Sequence, residues 1–169
     1  MEEQVNWGRQ FTSQMYGTDF RRLEYRPLET ARYSHKFKGP GLRYEVAITI
    51  ATGYIVHING PFRCGEWSDL RIARSYLHSY LPTGEGYIAD RGYRDRYGPS
   101  LTRDEISAED RPKVNALLAR HETINRRFKQ WSVLSERFRH SENLYGPIFA
   151  AIAIITQIEI ENGAHVWDI

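Results

Sequence analysis

The chain has 169 residues, with 23 Lys and Arg against 21 Asp and Glu, and a single cysteine, Cys64. This length suits one ordinary domain with its own core and is too short for two, so we expect residues 1–169 to form a single domain. The near balance of charge means that composition alone does not demand a nucleic-acid partner, while one cysteine excludes an internal disulfide and a cysteine-cluster zinc site.

The first part of the chain predicts three strands. Residues 9–16 alternate loosely between polar and apolar side chains and predict a strand that ends at Gly17. Residues 25–41 form a long connection with basic residues and a Gly-Pro-Gly turn. Residues 42–60 predict two strands joined by a tight turn at Thr52 and Gly53, because apolar residues alternate on either side of that turn.

The middle of the chain combines a helix, a short strand and a loop. Residues 66–81 show a helical spacing of apolar side chains, and Pro82 and Gly84 end this helix. Residues 85–90 predict a short strand that ends at an aspartate, Asp90. The charged residues 94–110 are rich in turn formers and predict an exposed loop or an insertion.

Two predicted helices end the chain. The strongest helical pattern covers residues 111–138, with a predicted buried stripe of Val114, Leu117, Leu118, Ile124, Phe128 and Trp131. A last helix covers residues 142–160, and its apolar run at 148–158 is shorter than the roughly 20 residues of a membrane span, so we expect it to be buried in the protein. The N-terminal "MEEQVNWGRQ" predicts no signal peptide. Early strands followed by helices indicate a mixed α/β sheet covered by helices.

Three acidic residues stand where a site can form. Asp90 ends an apolar strand, and side chains at the carboxyl ends of strands open into the crevice where α/β sheets bind ligands; alternatively, Asp90 caps the turn before Gly92. Glu122 lies near the edge of the buried stripe of its helix, and the alternative is a surface ion pair with Arg126. Asp69 lies in the first turn of its helix, where it complements the helix dipole.

Five sequence blocks occur in order along the chain: "YGTDFR", "SHKFKGPGLRYEV", "NGPFRCGEWSDLRIAR", "YIADRGYR" and "ARHETINRRFKQW". Together they resemble the DDE-superfamily endonuclease domain of Harbinger-type transposases, in the eukaryotic branch whose sequences carry the second block. The resemblance runs from about Gly17 to Gly163, nearly the whole chain. It implies an RNase H-like fold, in which a mixed sheet of about five strands is flanked by helices.

The resemblance also implies a metal site that cuts and joins DNA. In this family two aspartates and a glutamate hold two divalent ions, Mg²⁺ or Mn²⁺. Matched by motif, the second aspartate is Asp90 and the glutamate is Glu122. The first aspartate belongs directly before the glycine of the first block, and this chain has Tyr16 there.

Tyr16 weakens the expected metal site. A tyrosine hydroxyl, with a pKa of about 10, is neutral at pH 7 and is a poor ligand for Mg²⁺. Asp19 is the candidate replacement as a catalytic and metal-binding residue, provided that Gly17 bends the strand. In a regular strand, residues 16 and 19 point to opposite faces. The sequence therefore leaves open whether Asp19 supplies the missing ligand.

Two groups of basic residues suit contact with DNA phosphates. One group lies in the second block and the other on the helix of Glu122; the residues are His35, Lys36, Lys38 and Arg43, then Arg126, Arg127 and Lys129. Without the resemblance, solvated side chains that offset nearby acids are the better explanation. Trp67 and Trp131 are expected in the core rather than as platforms for base stacking.

The resemblance further implies a nuclear protein with DNA as its partner. Transposases of this kind find DNA through a helix-turn-helix segment or through a separate Myb-like partner protein, and we expect no DNA-binding module before residue 1. Three interpretations follow. The chain is a metal-dependent endonuclease with impaired activity, a non-catalytic transposase fragment that binds DNA or protein, or an unrelated α/β interaction domain.

Overall fold

The computed structural model describes residues 11–21, 30–36, 38–164 and 166, and it describes residues 11–21 as backbone. Within these ranges the strands are β1 Phe11–Arg21, β2 Tyr33–Ser34, β3 Gly39–Thr49, β4 Ile55–Arg63, β5 Gly86–Ala89 and β6 Ser100–Thr102. β3 pairs antiparallel with β1, β2 and β4, whereas β5 pairs parallel with both β1 and β6. The strand order is β2-β3-β1-β5-β6, and β4 also pairs with β3.

Helices accompany this sheet: α1 Asp69–Ser75, α2 Leu77–Tyr80, α3 Arg111–Gln130, α4 Ser132–Ser135 and α5 Tyr145–Glu161. Short 3-10 turns cover Thr30–Arg32, Arg91–Tyr93, Arg103–Glu105 and Glu142–Leu144. α1 begins where the hydroxyl of Ser68 accepts a hydrogen bond from the backbone N–H of Arg71 at 3.3 Å, as an N-cap should. The predicted mixed α/β class is confirmed.

Alternation of side chains along β3 separates the two faces of the sheet. The even-numbered residues of β3 pack with α3, α4 and α5 in one hydrophobic cluster: Leu42, Tyr44, Val46 and Ile48. We call this side the apolar face. On the other side, Ala47 packs with β5, α1 and α2. This side also carries the charged Arg43 and Glu45, and we call it the polar face.

The predicted hairpin and the predicted short strand are both confirmed. β3 and β4 are joined by a turn in which Thr49 donates its backbone N–H to the carbonyl of Tyr54 at 2.9 Å. Gly53 adopts a φ of 72°, a conformation that glycine reaches at little cost. β5 is buried along its length and is followed directly by Asp90.

Several predicted boundaries were wrong. β1 does not end at Gly17, because residues 17–21 continue to pair with β3. The helix expected at 66–81 divides at Tyr76, whose φ of −131° and ψ of −66° depart from helical values. The helix expected at 111–138 ends at Gln130, since Trp131 is extended. Trp131, which we expected in the core, is 41% exposed.

The segment 94–110 was wrongly predicted to be an exposed loop. It contains β6, which adds a parallel strand beside β5, and both Asp95 and Ile106 are buried. A strand of three residues is too short to show an alternating pattern. Of the long connection predicted at 25–41, residues 25–29 and 37 lie outside the described residues; the described remainder contains a 3-10 turn, β2 and the start of β3.

The apolar run at 148–158 forms most of α5, as predicted, but it is not wholly buried. Phe149, Ile152 and Ile160 enter the core, while Ile154 and Ile158 are exposed. Together with the preceding 3-10 turn, the helical segment Glu142–Glu161 has 20 residues and is long and apolar enough to cross a membrane by length and composition, and 33% of its most apolar window is buried in the protein. Core helices of soluble proteins also meet this criterion.

Candidate carboxylate site and its basic surroundings

Asp90 lies at the carboxyl end of β5. Its Oδ1 accepts a hydrogen bond from the backbone N–H of Gly92 at 2.9 Å and so caps the 3-10 turn Arg91–Tyr93. Asp90 therefore ends the strand and also caps a turn, and the two interpretations of this residue are compatible.

Burial raises the pKa of Asp90 above its ordinary value. The Gly92 N–H and the positive charges of Arg43 and Lys36 act in the opposite direction. A partly desolvated carboxylate is stabilised in its charged form by any cation that comes close. The end of β5 is therefore a place where a positive charge, from a side chain or an ion, is favoured.

Strand pairing places Tyr16 beside Asp90. β1 and β5 run parallel with Met15 opposite Ala89, so the next residues of the two strands are Tyr16 and Asp90. On its other side, Tyr16 pairs with Val46 of β3. The position where the resemblance expects the first metal-binding aspartate is thus the neighbour of the second one, and a tyrosine occupies it.

A buried histidine fixes α3 at the same level of the sheet. His121 is fully buried, and its Nε2 donates to the carbonyl of Val46 at 3.0 Å. Its Nδ1 accepts from the amide of Asn125 at 3.3 Å. Burial lowers the pKa of His121 to about 4, so the ring is neutral at pH 7. Because Val46 is the partner of Tyr16, the turn of α3 that carries Glu122 lies over the position of Tyr16.

Glu122 itself is exposed on α3. In the described structure no ion pair joins it to Arg126, so the surface pair that we considered as the alternative does not form. Arg126 is exposed and Lys129 is half-buried on the same helix. These three residues form a group on α3, apart from the charges that act on Asp90.

The described residues do not assemble a metal site with three ligands. Within the described ranges, no group of three or more His, Cys, Asp or Glu side chains is placed to hold a metal ion. Asp19 lies in β1 with its Cα paired to Arg43, and its side chain lies outside the described part of the structure. Asp90 and Glu122 bring only two carboxylates. This donor set does not fit a centre of two divalent ions, which depends on anionic oxygen ligands.

Arg43 is held on the polar face by α1. Its Nη1 donates to the carbonyl of Trp67 at 2.7 Å, and its Nε lies 3.3 Å from Oδ1 of Asp69. Asp69 stands in the first turn of α1, as predicted, and it also neutralises this guanidinium. The ion pair joins residues that are far apart in sequence, and spacing alone gave no signal for it.

Gly92 explains how closely the acids approach each other. A Cβ at position 92 would lie 2.7 Å from Oδ2 of Asp69 and 3.1 Å from Oδ1 of Asp90. The separation of these two oxygen atoms therefore cannot exceed the sum of the two distances. The two carboxylates lie on either side of a residue that has no side chain. Asp69, Arg43 and Asp90 form one charged cluster, which we call the Asp90 cluster.

The basic residues of the second block lie near this cluster. His35, Lys36 and Lys38 are exposed, and Arg43 is half-buried. Lys36 acts electrostatically on Asp90, which places Lys36 near the end of β5. The structure therefore brings Asp90 together with Lys36 and Arg43, two residues that we predicted from the sequence to contact phosphates.

A fully buried acid, Glu45, was not predicted from the sequence. It is 0% exposed on β3, and its Oε2 lies 3.5 Å from Nε2 of His57 on β4. Burial raises its pKa, while His57 and Asn59 lower it. The pKa of Tyr93 is also raised, first by burial and then by the negative charges of Asp69, Glu45 and Asp90. The ring of Tyr93 therefore lies among these three carboxylates. A glutamate within the apolar strand "RYEVAIT" was the available signal.

These contacts define a carboxylate-rich sheet end with arginine and lysine beside it. They give the chain groups that can bind phosphates or a single cation, and they leave the two-metal centre incomplete. A comparison of the chain with known protein families, with curated proteins and with solved structures finds no match.

Proposed function

We propose that the chain is an RNase H-like nuclease domain of the Harbinger-type DDE transposase lineage, in which metal-dependent cleavage of DNA phosphodiesters is impaired at Tyr16. The mixed sheet supports this fold, since three antiparallel pairings and two parallel ones are combined in one sheet. Helices on both of its faces support it as well.

The observation that carries the proposal is the register around Tyr16. Asp90 follows β5 as its neighbour, and His121 fixes α3 over Val46, the other neighbour of Tyr16. Three segments that are distant in sequence therefore meet at one level of the sheet. Asp90 follows β5 and Glu122 lies on α3, whereas β1, the third segment, carries Tyr16.

The charge at this level explains why cleavage is impaired. Cutting a phosphodiester by this route uses two divalent ions about 3.5–4 Å apart, one to activate water and one to stabilise the leaving oxygen. Two such ions bring four positive charges, and Asp90 and Glu122 offset two of them. Mg²⁺ also requires oxygen ligands at about 2.0–2.1 Å, which a neutral phenol supplies poorly. A second ion would therefore be held weakly by these residues.

The first experiment restores the missing acid. Tyr16→Asp should bind Mn²⁺ in isothermal titration calorimetry with a stoichiometry of two, and it should nick supercoiled plasmid in Mn²⁺. The unchanged chain should bind Mg²⁺ and Mn²⁺ weakly. Tyr16→Asn is the matched control, because asparagine has the size of aspartate but carries no charge.

A second variant separates a restored site from an accidental one. Asp90→Asn in the Tyr16→Asp background should abolish both the added metal binding and the nicking. If the unchanged chain already binds two ions as tightly as Tyr16→Asp, or if Tyr16→Asp gains neither property, this account of Tyr16 is wrong.

The second candidate function is DNA binding without cleavage in a nuclear protein. Lys36 and Arg43 beside Asp90, with the exposed His35 and Lys38, favour it, since these side chains suit contact with phosphates. The logarithm of the affinity for duplex DNA should then fall linearly with the logarithm of the salt concentration, with a slope of about −0.9 per phosphate contacted. A flat response would favour an unrelated interaction domain. A Myb-like protein is the partner we propose for recognition of DNA sequence.

A further inference from the structure

Five exposed aliphatic side chains lie on β4 and α5, and four of them, all except Ile155, line one groove between these elements. Val56 and Ile58 lie on β4, and Ile154, Ile155 and Ile158 lie on α5. Their exposed fractions range from 37% to 60%. We call these five residues the β4–α5 patch. Single exposed aliphatic residues are ordinary, whereas a contiguous group of this kind marks a binding surface.

The patch exists because α5 covers β3 and leaves part of β4 open. Phe149 of α5 stacks on Tyr44 of β3 with ring centroids 3.8 Å apart. Ile58 pairs with Val46 across the two strands and so belongs to the apolar face. Beside it, Gln157 of α5 accepts a hydrogen bond from the backbone N–H of Ile55 at 2.7 Å. α5 therefore lies along β4 instead of over it.

A groove of about 250 Å³ results between the strand and the helix. Its lining carries no Lys, Arg, Asp or Glu; His57 and Gln157 are its polar residues, and the others are isoleucine, valine and alanine. An acidic or basic peptide would find no complementary charge here. The lining therefore favours an occupant that presents aliphatic side chains.

We propose that the β4–α5 patch is the contact surface between two copies of this chain. The exposed side of α5 offers the aliphatic side chains that the groove requires, with Ile154 and Ile158 one helical turn apart. Around a two-fold axis, α5 of each copy packs over β4 of the other, so that one surface serves both sides of the contact.

The area of the patch agrees with this assignment. The exposed fractions of these side chains correspond to an apolar surface of several hundred Å², which lies in the range of the largest patches on monomers, and such patches are often functional. A stable dimer buries about 800 Å² from each partner, with an apolar centre and a polar rim. The patch supplies that centre, and exposed polar residues at the end of α5, such as Glu159 and Glu161, supply part of the rim.

A lipid surface is the main competing occupant, because the helical segment Glu142–Glu161 has the length and composition of a membrane span. Insertion would require α5 to leave the sheet. Phe149, Ile152 and Ile160 would then lose their contacts with the core, and the aromatic partners of Phe149, Tyr44 and Phe128, would be exposed to water at a cost in free energy. Association of two folded copies buries the exposed side of α5 without this cost.

Analytical ultracentrifugation of the full chain, from about 1 to about 100 µM, tests the proposal in the range where interfaces of this size can associate. We expect a monomer–dimer equilibrium that Ile154→Lys and Val56→Lys each weaken tenfold or more, about 1.4 kcal/mol. Tyr97→Lys is the control, since Tyr97 is 89% exposed outside the patch. Circular dichroism should show all variants folded.

The outcomes that overturn the proposal are distinct. They are a monomer throughout the concentration range, a dimer that Tyr97→Lys weakens as much as Ile154→Lys does, or a monomer that binds neutral phosphatidylcholine vesicles. The measurement uses neither metal nor DNA, so its failure leaves the proposed nuclease ancestry untouched.

Discussion

The two faces of the same sheet bury different kinds of side chain. On the apolar face, Tyr44 stacks on Phe149, which in turn meets Phe128 edge-on with ring centroids 5.3 Å apart. On the polar face, where α1 and α2 pack against Ala47, Glu45 is buried with His57 at 3.5 Å, and the ring of Tyr93 lies among carboxylates. The two faces lie on opposite sides of β3, and successive side chains along this strand point to one face and then to the other.

The difference separates stability from chemistry. Burial of apolar surface stabilises the fold by about 25 cal/mol per Å², whereas a buried carboxylate costs free energy unless it is fully paired. The apolar face therefore supplies most of the stability. On the polar face, the buried carboxylate of Glu45 lowers the stability that the apolar contacts of Ala47 provide, and this face adjoins the Asp90 cluster.

The largest effect should come from the apolar face. Phe149→Ala removes a ring that is 1% exposed and contacts two other aromatic rings, so we expect a loss of about 3–5 kcal/mol in the free energy of unfolding. Urea denaturation followed by circular dichroism measures it. Ile155→Ala, on the exposed side of the same helix, should cost less than about 1 kcal/mol. Equal losses would show that α5 does not anchor the core.

Much of this architecture could be predicted from local patterns. The hairpin β3–β4, the strand β5 and the helices α3 and α5 each have a hydrophobic period long enough to recognise. β6 has three residues, and the extension of β1 beyond Gly17 depends on pairing with β3, so neither has a local signal. The break at Tyr76 likewise has no local signal, because the helical spacing of apolar residues continues through this position.

The position of a single site residue could be predicted from the sequence around it, whereas contacts between residues of different elements could not. The strand-end position of Asp90 followed from the apolar run before it. The ion pair of Arg43 with Asp69 and the approach of Glu45 to His57 join separate elements, and sequence spacing carries no information about either. Asp69 was interpreted as a dipole partner of its helix, which accounts for one of its two roles.

An intermediate effect should come from the Asp90 cluster, where Gly92 allows two acids to approach. A side chain in Gly92→Ala would lie 2.7 Å from Asp69 and 3.1 Å from Asp90, so both carboxylates must move. We expect a loss of about 1–2 kcal/mol, measured by urea denaturation, and weaker Mn²⁺ binding in the Tyr16→Asp background.

Gly146→Ala provides the matched control for this prediction. An added Cβ there meets its nearest neighbour at 3.8 Å, an ordinary contact, and position 146 is helical. Its stability should stay equal or rise by about 0.5–1 kcal/mol, since alanine favours a helix. If both glycine variants behave alike, the approach of Asp69 to Asp90 does not constrain position 92.

The smallest effect, and the one of opposite sign, should come from Glu45→Gln on the polar face. Burial raises the pKa of Glu45 in the folded chain above its ordinary value of 4.5. The unfolded chain therefore releases this proton at a lower pH than the folded chain does. The contribution of Glu45 to stability is complete below the ordinary pKa of 4.5, and it is lost as the pH rises through the raised pKa of the folded chain. Glutamine cannot ionise. The variant should match the wild type at about pH 4 and exceed it by roughly 1 kcal/mol at about pH 8.

Thermal and urea denaturation across this pH range, with Glu109→Gln as an exposed control, measure the difference between the variant and the wild type. A variant that is less stable than the wild type at every pH would mean that the pairing of Glu45 with His57 outweighs the cost of burying the charge. The polar face would then stabilise the fold as the apolar face does, and the contrast between the two faces would disappear. A difference that grows with pH would instead show that the fold tolerates a charge which its own packing disfavours.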